Sequence, residues 1–202
     1  MNTSMLLTAL LSYFVIVDPI GVSLIFAAIT EGKEDTFCRK MAFRSVLLST
    51  VIVLCFGFFG EKLLTQLGIS LESFRIAGGL LLFYTAFNMI MKPEGLSSDI
   101  TSQQPEDISV FPLSFPLIAG PGCLTLTVLL FADAGQRRDD MIALVLAVLL
   151  VFSLTFFGFL SAHKLSRFMG KTGNNIVKRL LGVLLASLSI QFVADGIMGF
   201  VY

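Results

Sequence analysis

The chain has 202 residues, 55% of them apolar and 20 of them phenylalanine, and its 14 basic and 14 acidic side chains cancel to zero net charge. A water-soluble domain is about 45–50% apolar, so this composition, with a mean hydropathy of +0.89, excludes an ordinary soluble protein, and the balanced charge gives nucleic acid nothing to bind. Three widely spaced cysteines (Cys38, Cys55, Cys123) without a C-x-x-C pattern, and one histidine, His163, supply no metal centre, disulfide framework or cofactor site.

In chain order, apolar runs fall at 5–30, 41–60, 74–91, 111–132, 141–161 and 178–201. Each approaches the ~20 residues that cross a hydrocarbon core of about 30 Å, which predicts an all-α bundle of six transmembrane helices. The opening MNTSMLLTALLSYF lacks a basic region and a cleavage site, and its apolar run is too long for a signal peptide. It reads as the first span. Between the spans lie EGKEDTFCRK, EKLLTQLGISLES, KPEGLSSDITSQQPED, DAGQRRDD and HKLSRFMGKTGNNIVKR, all read as loops. The third predicts a hydrated linker over 93–110, which divides one membrane domain into three spans at 1–92 and three at 111–202.

The halves resemble each other. DPIG in span 1 corresponds to GPG in span 4, FFG at 58–60 to FFG at 156–158, and FRIAGGLLL, with Arg75 and Gly78, to KRLLGVLL, with Arg179 and Gly182. The displacements of 102, 98 and 104 positions keep order and spacing, as an internal duplication would. With three spans per copy, the second copy enters the membrane from the opposite side and the repeats are inverted. Placing both termini outside leaves Lys33, Arg39, Lys40, Arg44, Lys92, Lys164, Arg167, Lys171, Lys178 and Arg179 inside, against Lys62, Arg75, Arg137 and Arg138 outside. The positive-inside rule favours that orientation.

Spans 1 and 4 each contain a break. Proline inside a helix removes a hydrogen bond and clashes with the preceding turn, at about 3 kcal/mol or more, and in lipid a broken helix must be buried in protein or line a wet cavity. Asp18 suits an N-cap and Pro19 the first helical position, with Gly21 in the first turn; Gly120 and Pro121, followed by Gly122, can play the same parts. Each span is then two half-helices, the second starting near the midplane. Such starts offer unpaired N–H groups and about half a positive charge, which suit a carboxylate, while the ends of the first halves offer carbonyls that suit an ammonium. Both kinds of end together fit a zwitterion, and an amino acid is the obvious small candidate.

Plainer roles stand beside these. Asp18 is a cap alone, or a group that binds substrate or a proton; an ionisable residue inside a membrane is a functional candidate by default. Thr125 and Thr127, just past the second break, either face the cavity or bond the preceding turn. Asn88 in span 3 and Gln191 in span 6 occupy similar places in the repeat and serve either as interhelical glue or as ligand contacts. Gly21, Gly78, Gly79 and Gly182 permit close helix packing, and Arg75 and Arg179 read as interfacial anchors.

These motifs resemble the MarC family of integral membrane proteins: DPIG at 18–21, FRIAGGLLLF at 74–83, PLIAGPG at 116–122 and RLLGVLLASLSIQFVADGI at 179–197. The resemblance runs over essentially the whole chain. It implies a six-helix inner-membrane protein of the LysE-type transporter superfamily that moves glycine and other small neutral amino acids, with Asp18, Pro19, Gly21, Gly120, Pro121 and Gly122 at the substrate site. Residues just after the second proline vary in the family, so Gly122 and Cys123 do not carry side-chain selectivity across.

Residues and resemblance together predict a secondary transporter of small neutral amino acids in a bacterial inner membrane, working by alternating access. No G-x-x-x-x-G-K-[ST] motif couples it to ATP, so an ion gradient or the substrate's own gradient drives it, with Asp18 the candidate proton carrier. A cation or other small-solute exporter or channel is the alternative. A membrane enzyme lacks a nucleophile and base, or metal ligands. The expected partners are the bilayer, the amino acid and, in a homo-oligomer, further copies of the chain.

Overall fold

The computed structural model describes residues 3–91, 108–135 and 137–201, and among them the chain is helical without a strand. Span 1 consists of α1 (Thr3–Val17) and α2 (Pro19–Ile29), with Asp18 alone between them. Span 2 is α3 (Asp35–Gln66), which ends as Gly68 (φ +69°) turns left-handed, so that its N–H returns to Thr65 C=O at 3.1 Å and that of Ile69 to Leu64 C=O at 2.9 Å. Glycine takes that conformation without a Cβ penalty, and the paired bonds satisfy carbonyls at the helix end. Span 3 is α4 (Leu71–Met91), capped by the Ser70 hydroxyl on Ser73 N–H at 3.1 Å.

Span 4 is a wound segment, Ser109–Ile118, bent by 56° into α5 (Pro121–Ala134). Span 5 is α6 (Arg138–Leu160), and span 6 lies within α7 (Ala162–Val201). Five spans, counting α1 and α2 as one, and the bent pair of span 4 make six. Two expected loops are shorter than predicted. All of HKLSRFMGKTGNNIVKR is helical and leads into the membrane portion of α7, Arg179–Phe200, and α3 begins at Asp35 inside EGKEDTFCRK. Neither segment contains proline, and an isolated glycine costs a helix only about 1 kcal/mol. The predicted linker falls outside the described residues apart from 108–110.

Helix α6 is central, touching α1, α2, α3, α5 and α7. Its buried face includes Leu144, Ala147, Val148, Phe152 and Phe159, and the Phe159 ring stacks on Phe26 of α2 at 4.5 Å. Helix contacts come in matching pairs: α3 lies on α5 and α6 on α2, α4 on α5 and α7 on α2, the wound segment on α3 and α1 on α6. The glycines of the two FFG motifs sit in corresponding contacts, Gly60 against Val128 of α5 and Gly158 against Ser23 of α2. Helices α4 and α7 run antiparallel, with Gly79 against Val193 and Ser189, and Gly182 against Met89 and Ile90.

The outer faces are the inverse of a soluble protein's. Phe59 (66% exposed), Tyr84 (64%) and Phe157 (62%) stand free, with leucines and valines between them along α3, α4, α6 and α7. Apolar surface this extensive needs hydrocarbon around it, and with six spans it makes the chain an integral multi-pass membrane protein.

A Cβ at Gly79 would lie 2.8 Å from the Ser189 carbonyl oxygen, so a larger residue forces α4 and α7 apart. Gly79→Val is expected to destabilise the protein by about 1–3 kcal/mol, read as a lower thermal midpoint in detergent. An unchanged midpoint would show that the two helices do not pack this closely.

Candidate functional site

At the first break Asp18 adopts φ 48° and ψ 68°, the left-handed region. Pro19 disfavours right-handed helix in the residue before it, and aspartate tolerates the left-handed alternative better than most residues. The Asp18 N–H still donates to Phe14 C=O at 3.1 Å, and its C=O accepts from Val22 N–H at 3.0 Å. Its carboxylate folds over the new helix start and accepts from Gly21 N–H at 3.0 Å. A Cβ at Gly21 would collide with that carboxylate. DPIG is therefore one working unit: the proline breaks the helix, the aspartate caps the next one, and the glycine makes room for the cap.

The second break is built differently. Two Phe-Pro dipeptides precede it, and each proline drives the residue before it into extended geometry, Phe111 at φ −126°, ψ 129° and Phe115 at φ −130°, ψ 128°. The chain closes wide turns instead of α-helical ones, with Leu113 N–H to Ile108 C=O at 3.4 Å and Ala119 N–H to Ser114 C=O at 2.8 Å. The first half of span 4 is thus not the expected α-helix. Serine hydroxyls tie it to α3: Ser114 Oγ lies 2.6 Å from Ser109 C=O and 3.0 Å from Ser45 C=O, and Ser49 donates to Ser114 C=O at 3.4 Å. All four serines are buried.

Gly120 then caps α5 with extended geometry (φ −71°, ψ 169°) and Pro121 opens it, as expected. A Cβ at Gly120 would collide with Pro116 C=O. Among the described residues no side chain caps this start. The amides of Gly122 and Cys123, in the first turn of α5, have no intrahelical acceptor, and the positive end of the helix dipole lies on them. The breaks therefore differ in charge. The first carries its own carboxylate, and the second presents bare donors.

The breaks are close neighbours. Ile16, two residues before Asp18, and Leu82 of α4 both pack at Gly122, where a Cβ would meet Leu82 and lie 4.0 Å from Ile16 Cγ2. One turn before the first break, the buried Tyr13 hydroxyl donates to Thr127 Oγ1 at 2.9 Å, and Thr127 donates to Cys123 C=O at 2.7 Å. Thr125 bonds the preceding turn, donating to Pro121 C=O at 2.9 Å, while its methyl group packs on Gly78. Asp18, Pro19, Gly21, Gly120, Pro121, Gly122 and Thr125 thus line two adjoining helix starts. Asn88 is half-buried further along α4, and Gln191 is exposed on α7, where its Nε2 donates to Asp195 Oδ1 at 2.7 Å. Arg75 pairs with Asp133 at 3.1 Å, joining α4 to the far end of α5. Tyr13, Leu82 and the serine group escaped the sequence reading, although the repeated Phe-Pro dipeptide was a visible signal for the wound segment.

Six apolar spans, two of them broken at a proline and packed against each other, define an all-helical multi-pass membrane protein. A family model described as MarC family integral membrane protein matches residues 3–201. A UPF0056 membrane protein of Methanocaldococcus jannaschii is 31% identical, with 98% of each chain covered. The UPF0056 inner membrane protein YhgN of Escherichia coli (strain K12) is 33% identical with 95% of each covered, and the UPF0056 membrane protein YvbG of Bacillus subtilis (strain 168) is 30% identical, covering 98% of this chain and 97% of its own. The chain belongs to the MarC family of integral membrane proteins. No solved structure matches it.

Asn keeps both the cap and the tolerance of left-handed geometry, whereas Ala keeps neither. Asp18→Asn is expected to hold nearly the wild-type thermal midpoint, and Asp18→Ala to lose about 0.5–2 kcal/mol; equal midpoints for the two variants would remove the cap from the fold. Tyr13→Phe deletes one buried hydrogen bond and is expected to cost about 0.5–1.5 kcal/mol in the same measurement.

Proposed function

We propose that the protein is a secondary transporter of small neutral amino acids. The observation that carries this reading is the pairing of unlike helix starts: the Asp18 carboxylate beside α2 and the uncapped Gly122 and Cys123 amides of α5, bridged by Ile16 and Leu82. A zwitterion complements both, its carboxylate toward the α5 amides and its ammonium toward Asp18. Helix starts of this kind are where transporters built from discontinuous helices receive anionic substrate groups. Thr125 and Gly120 shape the α5 side of the site, and Pro19 and Gly21 the α2 side. Asn88 and Gln191 are second-rank contacts on α4 and α7.

Alternating access follows if residues 1–92 and 111–202 are inverted repeats that rock about the site. The matching helix contacts of the two halves and the antiparallel α4–α7 pair support that arrangement. Protonation of Asp18 would release the ammonium and couple transport to a proton gradient. The MarC membership and the name of the E. coli relative support placement in a bacterial inner membrane, and the loop charges support termini on its outer side. A second reading, export of a cation, is favoured by the same carboxylate.

Thermal-shift screening of the purified protein against amino acids, at two pH values and with or without sodium, tests both readings. Glycine or alanine at 100 times Kd should stabilise the protein by about 2.7 kcal/mol, while acetate or methylamine alone should do far less. Stabilisation by sodium with no response to any amino acid would favour the cation exporter and end the amino acid reading. In proteoliposomes, Asp18→Asn is expected to abolish the pH dependence of glycine uptake; an unaltered pH profile would remove Asp18 from coupling.

A further inference from the structure

Between the two breaks lies a small apolar cluster separate from the main core. It centres on Leu82, Ala86 and Leu185, with Val15, Ile16 and Phe192 packed around them, and so joins α1, α4 and α7 at the point where span 1 breaks. Leu82 is 1% exposed. Its Cδ2 occupies the place a Cβ on Gly122 would take, and Ile16 Cγ2 is the next neighbour, 4.0 Å from that point. A leucine tip therefore stands directly over the uncapped start of α5.

We propose that Leu82 sets the upper size limit of the substrate side chain, an assignment that rests on the amino acid reading of the site. With the substrate carboxylate on the Gly122 and Cys123 amides and its ammonium toward Asp18, the third substituent on the α-carbon turns toward Leu82 and Ile16. Hydrogen or methyl fits against this wall. A branched or aromatic side chain collides with it. Gly122 is the counterpart that makes the wall possible, because only a residue without a Cβ lets Leu82 come this near the helix start. Selectivity for small side chains then comes from an apolar side chain of α4, and the polar helix starts read the backbone part of the substrate.

The test is a size series (glycine, alanine, valine, leucine, phenylalanine) measured by thermal shift and by competition with glycine uptake in proteoliposomes. Wild-type protein is expected to accept glycine and alanine and to reject the larger three. Leu82→Ala should gain valine and leucine, with the ratio of their kcat/KM to that of glycine rising about 10–200-fold per methylene-sized step. Leu82→Val, the milder variant should the alanine protein fail to fold, is expected to gain valine alone. Gly122→Ala should lose even glycine by pushing Leu82 into the site, and Gly122→Ala combined with Leu82→Ala should recover it, a rescue that general damage to the helix start would not give. An unchanged size profile in a Leu82 variant that still takes glycine overturns the assignment and leaves the transporter reading intact. A wild-type protein that responds to no amino acid overturns both.

Discussion

A peptide group released from a helix inside an apolar surrounding has to find its partner within the protein, and this single requirement shapes both breaks. At the first, proline removes one donor and the chain turns left-handed for one residue, after which the Asp18 carboxylate takes the Gly21 N–H. At the second, two further prolines force Phe111 and Phe115 out of helical geometry, and buried serines on α3 and in the segment itself hold the loosened backbone. Neighbouring helices are then constrained in turn. Gly158 must be small where α6 meets the Pro19 turn, and Gly78 where α4 meets Thr125.

The two solutions leave opposite residues of charge. A carboxylate cap outweighs the roughly half positive charge of its own helix start, whereas a glycine cap leaves the α5 start open. An internal duplication read from sequence would lead one to expect equivalent breaks, yet DPIG and GPG differ in the one side chain that matters electrostatically. That difference makes the two breaks a dipolar pair, and the proposed zwitterion follows from the pair and from neither break alone.

Much of this was legible in the residues. Span positions follow from hydrophobic length, and the caps at Asp18 and Gly120 follow from the proline that comes next. The wound segment was misread as half-helix because apolar length dominated the reading of FPLSFPLIAGPG, although Pro112 and Pro116 both disfavour a helix over Phe111 and Phe115. The start of α7 was misread for the opposite reason: polar composition suggested a loop, while the absence of proline allowed a helix to continue. Thr127 was singled out as a group that faces the cavity or bonds the preceding turn, and it does the latter, whereas Tyr13 and Leu82 could not be, since only the tertiary approach of α1, α4 and α5 distinguishes them from the other apolar and aromatic residues of their helices.

Helix α3 adds a constraint of another kind. Its 32 residues extend about 48 Å, against a hydrocarbon thickness of about 30 Å. Tilt alone would have to exceed about 50° to hide the excess, beyond the roughly 0–40° that membrane helices adopt. Part of the rod therefore stands in the headgroup layer, and the end that carries Arg39, Lys40 and Arg44 is the polar one. Lipid phosphates at that depth gain fixed cationic neighbours, so the chemistry of the surrounding leaflet bears directly on how α3 is seated.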